Sequence, residues 1–154
     1  MSVPTTMRRV VVDTGKIGTV LVDTNVFTAP LRADRPLQAQ YRKHTFGRQI
    51  AVAPQSVAEA KYGALTGGWG ARRLNELARL SAGVRVVPVD DETVELVAQL
   101  RNQCRVIGHA LHQRRHNADL WIAAAAVRWS IPLVAHDAVF IGCPGLELRT
   151  ELTR

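Results

Sequence analysis

Four acidic residues stand where the sequence pattern favours chemistry. Asp23 directly follows a short apolar run, and Asp137 comes two residues after another. Glu59 lies about one helical turn beyond a third apolar run, and Asp119 lies in the first turn of an apolar helix. Each acid has apolar neighbours, and a carboxylate in such surroundings is costly to bury unless it is paired or bound to a cation.

Carboxylates that share a site repel one another, and a hard divalent cation relieves that repulsion. Mg²⁺ prefers oxygen ligands and keeps several waters, and a metal-activated water is a competent nucleophile. One or two such ions can also stabilise the attacking and leaving oxygens of a displacement at phosphorus. The four acids therefore predict a metal site for phosphodiester hydrolysis. The open alternative is that they are unrelated helix caps and surface residues.

An alternation of strands and helices is predicted to position these acids. The predicted strands are Thr19–Val22, Ile50–Ala53, Val84–Val89 and Leu133–Ala135. The predicted helices are Gln55–Leu65, Ala71–Leu80, Asp90–Val106 and Ala118–Trp129, the last with Asn117 as its N-cap. This order favours an α/β domain with a mainly parallel central sheet and helices on both faces. In such sheets, sites form at the carboxyl ends of the strands.

The composition is that of one globular domain with a basic surface. The chain has 154 residues, 47% of them hydrophobic, and a formal net charge of +7. Almost all of the positive charge is arginine, whose planar fork suits phosphate, so a polyanion is an expected partner. The two cysteines are too few for a disulfide framework, and no apolar run is long enough to cross a bilayer. We therefore expect a cytoplasmic protein.

Four segments of the chain resemble the sequence blocks of PIN-domain ribonucleases, in the same order and with similar gaps. The segments are Val20–Phe27, Pro54–Ala64, Asn117–Ala126 and Leu133–Phe140. A trailing segment, Pro144–Leu148, resembles the final strand of that family. The match covers the chain from about Thr19 to the C-terminus, and the layout is similar to VapC-type toxins of type II toxin–antitoxin pairs.

The resemblance implies a Rossmann-like PIN domain over residues 19–154 and an Mg²⁺-dependent endoribonuclease in which Mn²⁺ can replace Mg²⁺. Its catalytic and metal-binding residues would be Asp23, Glu59, Asp119 and Asp137. It also implies a homodimer, a cognate VapB-type antitoxin, and tRNA or rRNA as the substrate. Residues 1–18 are a leader outside the pattern, read as an additional strand, as a disordered arm or as residues before a start at Met7.

One position departs from the family pattern. The fourth block usually carries Thr or Ser where this chain has Ala135, so a hydroxyl that would orient a carboxylate or water is missing. Thr24, Asn25 and Ser56 are expected to support the acids instead. Asp13 belongs to a segment that echoes the first block, but Gly15 and Lys16 follow it, so Asp23 is the predicted functional copy.

A basic stretch directly precedes Asp119. Arg114, Arg115 and His116 are expected to contact RNA phosphates, and a solvated loop is the equally open alternative. The nearby Cys104, His109 and His112 lack the paired Cys spacing of a structural zinc site, which is a minor alternative.

Two other functions stay open at this point. An aspartate-nucleophile phosphatase would use Asp23, but it requires a second acid where this chain has Asn25. A non-catalytic PIN-like module that binds RNA or an antitoxin is the second alternative, and the alanine at position 135 leaves it open.

Overall fold

Strand β1 (Thr19–Val22) lies at the centre of a five-stranded parallel sheet, and all four of its residues are buried. The computed structural model describes residues 18–153, so nearly all of the predicted leader and Asp13 lie outside the described part. The other strands are β2 (Gln49–Val52), β3 (Arg85–Val86), β4 (Leu133–Val134) and β5 (Leu148–Arg149). Their spatial order is β3-β2-β1-β4-β5, and every neighbouring pair is parallel.

This strand order creates a crevice beside β1. The chain moves outward in one direction from β1 through β2 to β3, and then returns to the other side of β1 for β4 and β5. A parallel sheet with this reversal has a topological switch point between β1 and β4, where ligands commonly bind at the carboxyl ends. Asp23 and the segment leading to Asp137 follow these two strands directly.

Six α-helices connect the strands within residues 18–153. They are α1 (Thr24–Thr28), α2 (Arg35–Thr45), α3 (Pro54–Thr66), α4 (Ala71–Ala82), α5 (Asp91–Ile107) and α6 (Asn117–Trp129). Short 3-10 turns cover Ala29–Arg32, Ala110–His112, Arg114–His116 and Ala138–Phe140. In this part of the chain, no helix has the length and apolar character needed to cross a membrane.

The two faces of the sheet contact different helices. Leu21 and Leu133 belong to a buried cluster with residues of α5 and α6, whereas Val20, Val22 and Val134 pack with α1 to α4. This division follows from the strand period of two, because successive side chains point to opposite faces. The predicted α/β fold with helices on both faces of a parallel sheet is confirmed.

Several element boundaries differ from the sequence prediction. The strand predicted at Val84–Val89 is only Arg85–Val86, although the N–H of Val87 still donates to Val52 at 2.9 Å. Pro88 has no N–H to continue the ladder. Asn117 as the N-cap of α6 is wrong by one residue, since the helix begins at Asn117 and His116 occupies the cap position.

Helices α1 and α2 were missed by the sequence reading. Helix α1 has only five residues, two of them threonine and one valine, and these have weak helix propensity. Helix α2 has a polar composition, and its described buried residues are only Leu37 and Tyr41. The available signal was Asp34 followed two positions later by Pro36, since an acidic N-cap with an early proline marks a helix start.

Candidate active site

Asp23 is the most deeply buried of the four predicted acids, at 3% exposed. It lies at the junction of β1 and α1, where one carboxylate oxygen caps the helix by accepting the N–H of Val26 at 2.8 Å. The other oxygen accepts the N–H of His136 at 3.0 Å. The side chain therefore joins the ends of the adjacent strands β1 and β4, and two backbone donors fix its orientation.

The loop after β4 is also held by a second residue of α1. The side-chain amide of Asn25 donates to the carbonyl of His136 at 3.1 Å. Together with the bond to Asp23, this means that both the N–H and the carbonyl of the His136 backbone are hydrogen-bonded. Asp137 follows directly and accepts the N–H of Val139 at 2.9 Å, which caps its own 3-10 turn. These bonds set the Asp137 carboxylate beside that of Asp23.

Asp119 and Glu59 approach the same crevice from two helices. Asp119 lies in the first turn of α6, half-buried, with Oδ2 at 3.5 Å from Nδ1 of His116. Glu59 lies in the second turn of α3 and is exposed. The α3 helix begins at Pro54 directly after β2, so its N-terminal end shares the carboxyl edge of the sheet.

The electrostatics of the acids show that they act on one another. The pKa of Asp23 is raised to about 7, mainly by burial and to a smaller extent by the charges of Asp137 and Asp119, against the two backbone hydrogen bonds that lower it. The pKa of Asp119 is raised by burial and by Asp137 and Glu59, while His116 opposes the shift. The four predicted acids therefore form one electrostatically connected group, in which Asp23, Asp119 and Asp137 interact with one another and Glu59 interacts with Asp119.

The donor set of this group suits a hard divalent cation. Carboxylate oxygens are the ligands that Mg²⁺ and Mn²⁺ prefer, and a cation would offset both the burial of these charges and their repulsion, which together raise the pKa of Asp23 and Asp119. Within residues 18–153, however, no three histidine, cysteine or acidic side chains are close enough together to enclose a metal ion. The residue types therefore suit a cation. In the present conformation of residues 18–153, the acidic side chains interact but do not form a complete set of metal ligands.

The hydroxyl groups of Thr24 and Ser56, which the sequence suggests as supports for the acids, contact each other. Thr24 donates to the hydroxyl of the fully buried Ser56 at 3.0 Å, which ties the start of α1 to the start of α3. Asp23 is the N-cap of α1, and Glu59 lies on α3. Ala135 is also fully buried, and its methyl group belongs to the core on the α5 and α6 side.

The histidine-rich segment before Asp119 forms two 3-10 turns. His109 contacts the carbonyl of Ile141 through Nε2 at 2.8 Å, and its Nδ1 accepts the N–H of Leu111. Both ring nitrogens of His109 are thus occupied by backbone groups, which excludes it from a zinc site in this conformation. Arg114 and Arg115 are exposed, and His116 connects their turn to Asp119.

The sequence reading missed a network that holds the loop after β4 from the other side. The hydroxyl of the buried Tyr41 lies 2.9 Å from Nδ1 of His136 and 3.2 Å from the hydroxyl of Thr150. The same oxygen accepts the N–H of Glu151 at 3.1 Å, and the Glu151 carboxylate contacts Lys43 and His44. The network joins α2 to the chain after β5. No local pattern indicates it, because the partners are far apart in sequence.

The comparisons with known proteins agree with this geometry. The family model described as "PIN domain" matches residues 20–143. The chain belongs to the PIN domain family. The match includes all four acids and both strands that flank the crevice, so the family resemblance seen in the sequence is confirmed.

Relatives place this PIN domain near the VapC-type toxins. It is 29% identical over 127 residues to Ribonuclease VapC5 of Mycobacterium tuberculosis, covering 81% of this chain and 87% of the relative. A crystal structure of VapBC-5 from Mycobacterium tuberculosis aligns with a TM-score of 0.60 and 27% identity, over 86% of this chain and 96% of that one.

The fold is shared with more distant structures. In VapBC2 from Rickettsia felis, bound to a promoter DNA fragment, the aligned chain has a TM-score of 0.72 and 18% identity. The alignment covers 86% of this PIN domain and 98% of that chain. At this identity the likeness supports the fold, which here is the five-stranded parallel sheet with its helical layers.

Proposed function

We propose that the protein is a metal-dependent endoribonuclease and the toxin of a toxin–antitoxin pair. The observation that carries the proposal is the group formed by Asp23, Glu59, Asp119 and Asp137, in which burial first, and the neighbouring carboxylates after it, raise the pKa of Asp23 and Asp119. A protein has little reason to keep such a group in a crevice unless it binds a cation. The relationship to Ribonuclease VapC5 supplies the reaction class.

In this proposal, the four carboxylates hold Mg²⁺ or Mn²⁺. When bound, the cation supplies charge neutralisation and Lewis acidity for hydrolysis of a phosphodiester. Asp23 and Asp137 are held in place by backbone N–H donors, so they are oriented before the substrate arrives. The 3.5 Å contact with His116 orients Asp119 in the same way.

The exposed Arg114 and Arg115 lie on the approach to Asp119 and are proposed to position phosphates of the RNA backbone. The proposed substrate is tRNA or rRNA in the cytoplasm. Arginine suits this task because its guanidinium can donate two parallel hydrogen bonds to one phosphate.

The proposed protein partner is a VapB-type antitoxin. An open cavity of about 700 Å³ lies between α1, α2 and α4, with an apolar floor that includes Phe27, Leu37 and Leu80. Arg42 and Arg79 also line it, which fits an apolar segment with acidic flanks. Solved structures similar to this chain are VapBC complexes, which supports this assignment.

Cleavage of purified tRNA and rRNA tests the proposal, with Mg²⁺, with Mn²⁺ and with EDTA. Asp119→Asn is expected to lower the metal-dependent rate by about a hundredfold or more, because it removes a charge from the cation site. Asp91→Asn is the matched control, since Asp91 occupies the first turn of α5 and is exposed. A folded protein that cleaves no RNA with either metal would favour the non-catalytic binding module.

A further inference from the structure

A second cavity, of about 650 Å³, opens between α5 and the start of α6. Its lining includes Arg101, Asn102 and Arg105 of α5, together with His112 and Trp121. None of the described residues that line it is acidic. The volume lies within the range of about 300–1,000 Å³ that is usual for small-ligand sites. The lining thus combines positive charge, two aromatic rings and an apolar wall.

Arg101 and Arg105 lie on successive turns of α5, and both line this cavity. Arg101 donates from Nε to the carbonyl of His112 at 3.1 Å, and Arg105 donates to the side chain of Asn102 at 3.0 Å. A guanidinium has five N–H donors, so each arginine retains donors for a ligand. The bonds hold both side chains at the wall of the cavity, which favours an anionic group there.

The aromatic residues are held as well. The Nδ1 atom of His112 lies 2.7 Å from the carbonyl of His109 and therefore carries the proton, since a carbonyl can only accept. Trp121 is half-buried and packs against the core with part of its ring. Fixed aromatic faces beside cationic groups are the combination that binds an unpaired nucleotide, through stacking of the base and contact with its phosphate.

This cavity is connected to the candidate active site along the chain. Trp121 follows Asp119 by two residues on α6. The turn that contains His112 leads directly into the Arg114–His116 turn, and His116 contacts Asp119 at 3.5 Å. Residues two apart on a helix project to different sides, so the cavity and Asp119 lie on different sides of the start of α6, with the Arg114–His116 turn between them along the chain.

We propose that this cavity is a nucleotide subsite, which binds one unpaired nucleotide of the RNA on the other side of the start of α6 from Asp119. The inference rests on the proposed ribonuclease function. A second copy of the chain is disfavoured as the occupant, because a symmetric contact here would bring arginines of two strongly basic chains together. The subsite selects single-stranded RNA, since a base in a duplex cannot enter it.

Binding of a short fluorescein-labelled oligouridylate tests the subsite. Anisotropy is measured in EDTA at several salt concentrations, with Asp119→Asn as the parent so that the RNA stays intact. Arg105→Gln is expected to weaken binding several-fold and to reduce the salt slope by about 0.7, as for one lost phosphate contact on a single strand. Trp121→Leu is expected to weaken binding about five- to a hundredfold with an unchanged salt slope, because it removes a stacking surface.

Two controls keep the test specific. Arg72→Gln removes one charge from α4 at a site that is 93% exposed, and it should leave affinity nearly unchanged. Trp121→Phe keeps an aromatic face and should retain most of the affinity, which separates stacking from loss of folding. Equal losses for Arg72→Gln and Arg105→Gln would overturn the proposal, and so would tight binding by Trp121→Leu.

Cleavage of RNA by the chain with Asp119 intact separates the two proposals. Metal-dependent cleavage together with unaltered binding by the Arg105 and Trp121 variants refutes the subsite alone. Absence of cleavage together with the expected binding losses refutes the nuclease and leaves a binding site for single-stranded RNA.

Discussion

The backbone of His136 is the point at which two different side chains fix the loop after β4. Asp23 accepts its N–H, and Asn25 donates to its carbonyl. A carboxylate can only accept and an amide can donate, so the two residue types cannot be exchanged. This contact also explains why position 25 is not a second acid. A carboxylate there would face a carbonyl oxygen, which disfavours the phosphatase alternative.

The metal-free protein is expected to lose stability as the pH rises from 5 to 8. The pKa of Asp23 is raised from 3.8 to about 7 by burial, so the folded chain holds a proton that the unfolded chain releases. That contribution is complete below pH 3.8 and disappears as the pH rises through about 7. Asp119 shifts in the same direction. Thermal unfolding in EDTA should therefore show a melting temperature several degrees lower at pH 8 than at pH 5.

The Asp23→Asn variant isolates this effect from other titrating groups. It cannot ionise, so most of the pH dependence assigned to Asp23 should vanish, although one backbone N–H then loses an acceptor. Mg²⁺ should raise the melting temperature of the unmutated chain more at pH 8 than at pH 5, because it binds the ionised carboxylates. A melting temperature that rises between pH 5 and 8 in both proteins would refute the assignment.

Helices α5 and α6 are joined at opposite ends by an ion pair. Asp90 caps α5 in a capping box with Thr93 and also binds the guanidinium of Arg128, whose Nε donates to it at 2.9 Å. The Arg128 side chain is only 8% exposed and packs over the ring of Trp129. The pair therefore fixes the helix that carries Asp119 against its neighbour.

Asp90→Ala is expected to lower the free energy of unfolding by about 2–3 kcal/mol, since it removes a cap and leaves a mostly buried arginine with weaker pairing. Chemical denaturation at pH 7 measures the loss, and Asp91→Ala at the next, exposed position should change stability far less. The pKa of Asp90 is lowered by Arg128, so its contribution is present above pH 3.8 and is lost as acid protonates it. The free energies of unfolding of Asp90→Ala and Asp91→Ala should thus differ at pH 7 and become similar in acid.

Tyr41 links α2 to the loop that carries Asp137. Tyr41→Phe removes the hydroxyl that contacts His136 and Thr150 and accepts the N–H of Glu151. The expected result is a loss of about 1–2 kcal/mol in stability, because partly buried partners lose a hydrogen bond. Cleavage should also fall at temperatures where the variant is fully folded, because Asp137 is less well positioned. Unchanged stability and unchanged cleavage in Tyr41→Phe would contradict this role.

The elements that were predicted correctly have strong local signals. Helix α5 opens with acidic residues and repeats apolar positions at helical spacing, and β1 is an apolar run bounded by Gly18 and Asp23. The positions of the four acids follow from these elements, because parallel strands share one carboxyl edge. The family resemblance named the same residues.

The parts that were not predicted depend on distant partners. Tyr41 contacts residues 95 and 109 positions away, and no local pattern encodes such a contact. The cap of α6 was misplaced because asparagine is usually a better N-cap than histidine, whereas the preceding 3-10 turn sets where this helix begins. The local N-cap preference gives the wrong position here because the 3-10 turn ends at His116, which contacts Asp119.

The molecule combines an acidic crevice with a net charge of +7. Under the proposed function, the positive field would favour approach of RNA, and the acidic group would repel it until a cation is bound. The affinity for RNA at the crevice would then depend on the metal, whereas contacts on the surrounding basic surface would not. An acidic partner would compete for that surface.

We expect the chain to form a homodimer through the exposed face of α3. Tyr62 and Leu65 are 69% and 81% exposed and are neighbours three residues apart on the helix; Tyr62 also lies three residues after Glu59, so one end of the patch adjoins Glu59. Adjacent large apolar side chains at a surface commonly mark an interface.

Tyr62→Glu with Leu65→Glu should convert a dimer to a monomer in light scattering after gel filtration, with the fold retained. Phe46→Glu, at a 72% exposed site after α2, should stay dimeric. A monomeric parent chain, or a dimer that survives both α3 substitutions, would rule out this interface.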